Sequence, residues 1–301
     1  MIALIDGDLV AYRCAASCQK QGVVVEDFDI AQARADNLLH NILAAVEATE
    51  CIIYLSGGEN FRKTICPSYK ANRDDVERPA YLEPLREYLV VKWGAKITDG
   101  IEADDALGIA QTAGNHYLRE LDGEGNQIIG HTTVICSLDK DLRQVPGHHY
   151  SWEILGTSSS GKQWKKEAQQ LYVSEQEGLF NFYWQIVMGD ASDNVPGYDG
   201  KMRQKVPKFL EPHYENMQVL ETEQELCDYV RAFYALSNEE FLINGTCLWV
   251  QRYEGEDWRQ KGKQLLERCG MGETGQKDAF EPSSLQPSEQ VAEDGNLNTT
   301  L

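Results

Sequence analysis

Acids stand where short apolar runs end, and this pattern limits the possible folds of the chain more than any other feature. The runs Ile2–Ile5, Cys51–Leu55, Val90–Trp93, Thr133–Cys136 and Tyr150–Leu155 have the length of β-strands. Stretches with helical spacing lie between them, notably 30–48 and 103–121. In the first of these, Ala35, Leu38, Leu39, Ile42, Ala45 and Val46 form the stripe of a helix that faces a core. Alternation of apolar strands with such helices predicts an α/β fold, a parallel sheet with helices on both faces. Sheets of this kind bind ligands beyond the carboxyl ends of their strands, where these acids stand.

The chain has 301 residues, room for one large core or two modest ones. From about Gly178 strands thin out, and 222–236 reads as an amphipathic helix opened by Thr222 and Glu225 at the spacing of a capping box. A catalytic part over 1–178 and a smaller helical part over 179–268 are therefore expected. From 269 to 301 the residues are Gly, Ser, Pro, Gln, Asn and acids, which predicts a disordered acidic tail. No run approaches the roughly 18 apolar residues of a membrane helix. The first apolar run meets an acid at once and has no basic start, unlike a signal peptide, so a cytoplasmic protein with eight reduced, scattered cysteines is expected.

Four acidic clusters carry the chemistry. Asp6 closes the first strand before Gly7, where an Asp serves equally well as a helix N-cap. Glu102, Asp104 and Asp105 stand at a helix start, which the helix dipole favours, yet three acids in four residues repel unless a cation lies among them. Asp139 and Asp141 follow the strand Thr133–Cys136, with Lys140 between them as a neutralising alternative. Asp190 and Asp193, in Met188-Gly-Asp-Ala-Ser-Asp-Asn-Val-Pro-Gly197, share one face of a helical turn or cap the Pro-Gly turn that follows. Four clusters on the ligand side of one sheet point to divalent cations. Oxygen ligands without His or Cys suit Mg²⁺ or Mn²⁺. Carboxylates enough for two ions suggest two-metal hydrolysis of phosphodiesters.

A formal net charge of −20 argues against tight non-specific binding of nucleic acid. The positive charge is nevertheless concentrated. Arg62, Lys63, Lys70 and Arg73 fall in one run with two aromatics; Lys201, Arg203, Lys205 and Lys208 fall in a second, soon after Asp190 and Asp193. Cations interleaved with aromatics suit phosphate contact and base stacking. A third run, Lys162 to Lys166 around Trp164, reads more simply as a solvated face.

In order, Leu4-Ile-Asp-Gly-Asp8, Tyr69-Lys-Ala-Asn-Arg73, Ile101-Glu-Ala-Asp-Asp105, Ser137-Leu-Asp-Lys-Asp141 and Met188-Gly-Asp-Ala-Ser-Asp-Asn194 resemble the 5′-nuclease superfamily, the flap endonucleases and phage 5′→3′ exonucleases. The resemblance implies a PIN-like sheet followed by a helix–three-turn–helix-like part. It implies that Asp6, Glu102 and Asp104 hold one ion and Asp139, Asp141 and Asp190 the other, with Asp105 and Asp193 in support. Lys70 would reach the scissile phosphate and Arg73 steer the 5′ end. The segment 69–92 would form an arch or gateway, with Tyr69 as a stacking platform. Arg62, Lys63, Lys201, Arg203, Lys205 and Lys208 would contact DNA. The implied substrates are duplex 5′ ends, flaps or nicks, or the RNA of RNA–DNA hybrids, in phage replication or primer removal.

Two positions depart from the pattern. Ser56 stands where the family often has Asp, which leaves the first ion held more loosely or by Glu59. Gly197-Tyr-Asp-Gly200 replaces a Gly-Ile-Gly-like turn whose carbonyls hold K⁺, so a K⁺ site there stays open. Two other readings remain: a haloacid-dehalogenase-type phosphatase built on Asp6-Gly-Asp8, and a DNA-binding protein that has lost catalysis.

Overall fold

The computed structural model describes residues 1–20, 22–73, 76–114, 120–121, 127–128, 133–157 and 162–269. Strands β1 (Ile2–Asp6), β2 (Glu50–Leu55), β3 (Lys96–Ile97), β4 (Thr133–Cys136), β5 (Gly147–Ser151) and β6 (Gln169–Val173) form one sheet in the order β6-β5-β4-β1-β2-β3. Every neighbouring pair is parallel except β5 with β6. The connections run outward one way from β1 through β2 and the other way from β4 through β5. A crevice therefore opens beyond the carboxyl ends of β1 and β4.

Central strands of a parallel sheet are covered on both sides, and β1 shows it: Ala3, Leu4 and Ile5 are at most 1% exposed. Alternate residues serve opposite faces. Ala3 and Ile5 join the core under α1 (Gly7–Ser17), α2 (Phe28–Ala45) and α4 (Leu82–Trp93), the last preceded by the short α3 (Phe61–Ile65), whereas Leu4 packs with Leu107 of α5 (Ala103–Gly114). The buried stripe of α2 is Ala31, Ala35, Leu39 and Ile42.

The strand expected at Val90–Trp93 is instead the last turn of α4. Leu85 and Leu89, four apart, face the core, and Gly94 ends the helix in the left-handed conformation (φ 67°). A four-residue apolar run does not distinguish a strand from a helix end.

Among the described residues five α-helices follow: α6 (Glu175–Met188), α7 (Glu211–Gln218), α8 (Glu223–Phe233), α9 (Asn238–Leu248) and α10 (Trp258–Arg268). The Thr222–Glu225 capping box opens α8 as its spacing predicts. These helices enclose an aromatic core that includes Phe182, Tyr183, Phe241, Trp249 and Trp258. Residue 178 lies inside α6, and Val250 packs with Leu4 of β1, so the helical part shares apolar contacts with the sheet. The expected acidic tail lies, from 270 onward, outside the described residues. Among the described residues no helix is long and apolar enough to cross a membrane.

Candidate metal centre and nucleic-acid interface

Asp6 ends β1 at the crevice and takes the N-cap role. Its Oδ1 accepts the Leu9 N–H (3.0 Å), which caps α1, while Oδ2 accepts the Ser137 hydroxyl (2.8 Å). The turn between them requires Gly7, since a Cβ there would stand 2.7 Å from both the Ile53 side chain and the Tyr54 carbonyl oxygen. The Ser137 hydroxyl also accepts the Asp139 N–H (3.0 Å), so one side chain fixes acids from β1 and from the segment after β4.

Electrostatics shows that the clusters converge. Burial, reinforced by Asp8 and Asp139, pushes the Asp6 carboxyl up to about 7 against the bonds from Leu9 and Ser137. Burial also lifts Asp104 well above the carboxylate range, with Asp6, Asp139 and Glu102 as the nearby negative charges. Asp141 is pushed up to about 8 by burial, then by Asp139 and Asp190. Asp139 is thus a nearby negative charge for Asp6, Asp104 and Asp141 alike. Among the described residues no three Asp, Glu, His or Cys side chains gather into a ready-made cage. Buried hard oxygens with excess like charge are nevertheless the donor set that a divalent cation relieves.

The Tyr69–Arg73 segment docks on the 190–194 loop, joining two motifs far apart in sequence. The Lys70 N–H donates to the Asp193 carbonyl (2.9 Å), Asn72 to the Ala191 carbonyl (2.8 Å), and Asn194 to the Ser68 carbonyl (2.8 Å). Arg73 donates to the Ser192 carbonyl (3.0 Å) and the Asp193 carboxylate (2.7 Å). Lys70 adopts φ 57°, a conformation unusual for a residue with a Cβ, and its Nζ meets Glu102 (2.5 Å) and lies 3.7 Å from Asp193. Burial alone would lower the Lys70 pKa, but Glu102, Asp193 and Asp104 outweigh it and raise it, so the ammonium is held charged at the acid cluster.

Four expected roles change. Arg62 is 2% exposed and cannot contact a phosphate. Its guanidinium makes a bidentate pair with Asp105 (2.6 and 2.7 Å) and donates to the carbonyls of Cys247 (2.9 Å) and Trp249 (2.5 Å). Asp105 in turn accepts the N–H groups of Glu102 and Gln251, which leaves it a structural anion rather than a cation ligand. Tyr69 is 1% exposed with its hydroxyl on Glu102 and Asp193, so it holds the site together and offers no ring for stacking. Asp190 follows the capping alternative: it accepts from the Ser192 N–H and hydroxyl, the Asp193 N–H and Gln185. Burial would raise its pKa, yet these bonds bring it below the usual value.

Sequence reasoning missed two contributors, Ser137 and Arg86, and read Ser56 only as a lost ligand. Ser137 was findable, because parallel register sets it beside the end of β1. Ser56 accepts the Ala103 N–H (2.9 Å) on its hydroxyl and so caps α5, the helix that carries Asp104; its own N–H donates to Asp8 (2.8 Å). Arg86 of α4 clamps Asp8 and the Ser56 carbonyl, and nothing in its surrounding sequence marks it. With Asp8 paired to Arg86, the phosphatase reading loses the free acid it needs. Glu59 is exposed, as are Lys63, Lys201, Lys205 and Lys208, whereas Arg203 is held by Asp199 (2.5 Å).

The pattern of the family described as 5'-3' exonuclease, N-terminal resolvase-like domain, matches residues 1–176, more than half of the chain. A 5'-3' exonuclease of Buchnera aphidicola subsp. Schizaphis graminum is 28% identical over 222 residues, 72% of this chain and 71% of that protein. DNA polymerase I of Streptococcus pneumoniae is 26% identical over 243 residues, 73% of this chain but only 25% of the polymerase. Among solved structures, the bacteriophage T5 flap endonuclease in a pseudo-enzyme-product complex with DNA and metal ions shares the fold. Its TM-score is 0.52 at 16% identity, over 89% of this chain and 99% of that one. With its residues 1–176 matching that pattern, the chain belongs to the 5'-3' exonuclease family.

Proposed function

We propose that this protein is a Mg²⁺- or Mn²⁺-dependent 5′→3′ exonuclease and flap endonuclease acting on DNA 5′ ends in replication, including primer removal. The observation that carries this reading is that like charges from separate stretches press on one another, Asp139 on Asp6, Asp104 and Asp141, and Glu102 on Asp104, with the Lys70 ammonium on Glu102. Asp6, Glu102 and Asp104 would hold one ion, and Asp139 and Asp141 the other with Asp190 beside them; Asp193 orients Lys70 and Arg73. Bound there, two divalent ions would supply a hydroxide-like water and charge compensation for the leaving oxygen. In the hydrolysis the water oxygen bonds to phosphorus, the P–O bond to the leaving oxygen breaks, and that oxygen takes a proton.

The chain's own groups position the phosphate. Lys70 moves from Glu102 to a non-bridging oxygen as negative charge builds there, and Arg73, half exposed beside it, steers the 5′ end. Lys63, Lys201, Lys205 and Lys208 face solvent, where duplex phosphates would reach them. The test digests 5′- and 3′-labelled duplex, flapped and RNA–DNA hybrid substrates with and without Mg²⁺. Mg²⁺-dependent release of short products from the 5′ label is expected, together with its loss in Asp139→Asn/Asp141→Asn. Binding without turnover in either Mg²⁺ or Mn²⁺ would instead support a protein that has lost catalysis.

A further inference from the structure

Residues 154–157 and 163–166 are not part of the acid site, but they leave the sheet at the same end. Strand β5 runs parallel to β4, with Tyr150 opposite Cys136, so Ser151 ends at the edge where Asp139 follows β4. Strand β6 returns antiparallel from that same edge, with Gln169 opposite Ser151. Between them an antiparallel ribbon of Ile154–Thr157 and Gln163–Lys166 springs from the carboxyl side of the sheet. A ribbon needs no such composition merely to connect two strands, yet this one combines Lys162, Trp164, Lys165 and Lys166 with an indole 47% exposed.

Alternation in a strand puts Trp164 and Lys166 on one face. Trp164 pairs across the ribbon with Gly156, and its ring lies so close that a Cβ at Gly156 would meet it at 2.3 Å. The glycine lets one face of the indole rest on backbone while the ring stays half open to solvent. Lys165 points the other way with its charge already matched by Glu153 (2.8 Å) and Glu167 (3.0 Å), whereas Lys166 is exposed and has no ion pair among the described residues.

We propose that the Trp164 face of this ribbon binds single-stranded DNA, the displaced 5′ strand of the substrate, by stacking a base on the indole with Lys166 on a flanking phosphate. The inference rests on the nuclease reading above and adds a contact that the acid site and the 201–208 run do not supply. Charge complementarity selects a polyanion in a chain whose net charge is −20. The flat aromatic selects an unstacked base over a duplex, whose bases offer no free face. Origin at the same end of the sheet as Asp139 puts the ribbon on the side where the acids stand.

The test compares the affinity of wild type, Trp164→Ala, Trp164→Phe and Lys166→Glu for 5′-flapped and blunt DNA of equal duplex length, with Mg²⁺ withheld so that the DNA stays intact. Trp164→Ala should weaken flap binding roughly tenfold or more and leave blunt binding within twofold. Trp164→Phe should retain most of the flap affinity, and Lys166→Glu should lose flap affinity with a thermal midpoint like wild type. Equal effects on both DNAs, or on neither, would overturn the inference while leaving the nuclease reading intact. A wild-type protein that neither binds nor cuts any of these DNAs would remove both.

Discussion

Arg62 and Asp105 are both buried, and each satisfies the other with two hydrogen bonds. Removing one partner from such a pair leaves an uncompensated buried charge, which destabilises by about 3–5 kcal/mol. Arg62→Met should therefore lower the urea midpoint strongly while the folded fraction keeps its DNA affinity; lost affinity at unchanged stability would return Arg62 to the DNA surface. Lys70 should behave in the opposite way. Its ammonium meets the phosphate as charge develops, so Lys70→Ala should cut kcat about 100-fold or more and change the DNA Kd only a few-fold. Single-turnover rates set beside equilibrium binding separate the two effects, and unchanged turnover would end the role given to Lys70. The difference between these residues explains what was legible in sequence. An acid that closes a central strand points to the crevice by topology alone, as Asp6 does. Which side of the five-residue helix at Phe61–Ile65 meets the core depends on Cys247 and Trp249, far along the chain, so Arg62 looked like its neighbour Lys63.

Among elements, β1, β2 and β4 were legible because a strand buried on both faces must be apolar throughout, and turn chemistry at Gly7 marked where the first one stops. The end of α4 was not, since its short apolar run carries no period. Strand β5 carries a further consequence. His149 is 6% exposed, its Nε2 lies 2.7 Å from the Val145 carbonyl, and burial pushes its pKa down to about 4 from an ordinary 6.5. The unfolded chain takes up a proton below pH 6.5 that the folded chain refuses until about pH 4. Stability from this group is thus fully present above 6.5 and is lost as pH falls across that window, by as much as about 3 kcal/mol. Chemical denaturation from pH 7.5 to 4 should show this acid limb, and His149→Gln should flatten it relative to wild type. Parallel curves for the two proteins would show that His149 takes up its proton in the folded state as readily as in the unfolded one.

At the scale of the whole molecule, a net charge of −20 and a cluster of buried acids act together against the folded state, because like charges brought close repel. Function and stability should then pull in opposite directions at the crevice. An ion that binds the folded chain and not the unfolded one stabilises by RT ln(1 + [L]/Kd), about 2.7 kcal/mol per site at a hundredfold excess over Kd. Mg²⁺ or Mn²⁺ should raise the thermal midpoint, and a chelator should reverse the rise. General screening of the surface charge would give a smaller rise with any salt, so the comparison is made at constant ionic strength with NaCl replacing MgCl₂. Asp139→Asn/Asp141→Asn separates the site from the surface. With two acids neutralised the metal-free protein should melt higher than wild type, and the Mg²⁺-specific increment should shrink or vanish. A metal-free double variant that melts lower than wild type would mean that these carboxylates are held by protein partners strong enough to need no cation, and the two-ion reading of the crevice would fall.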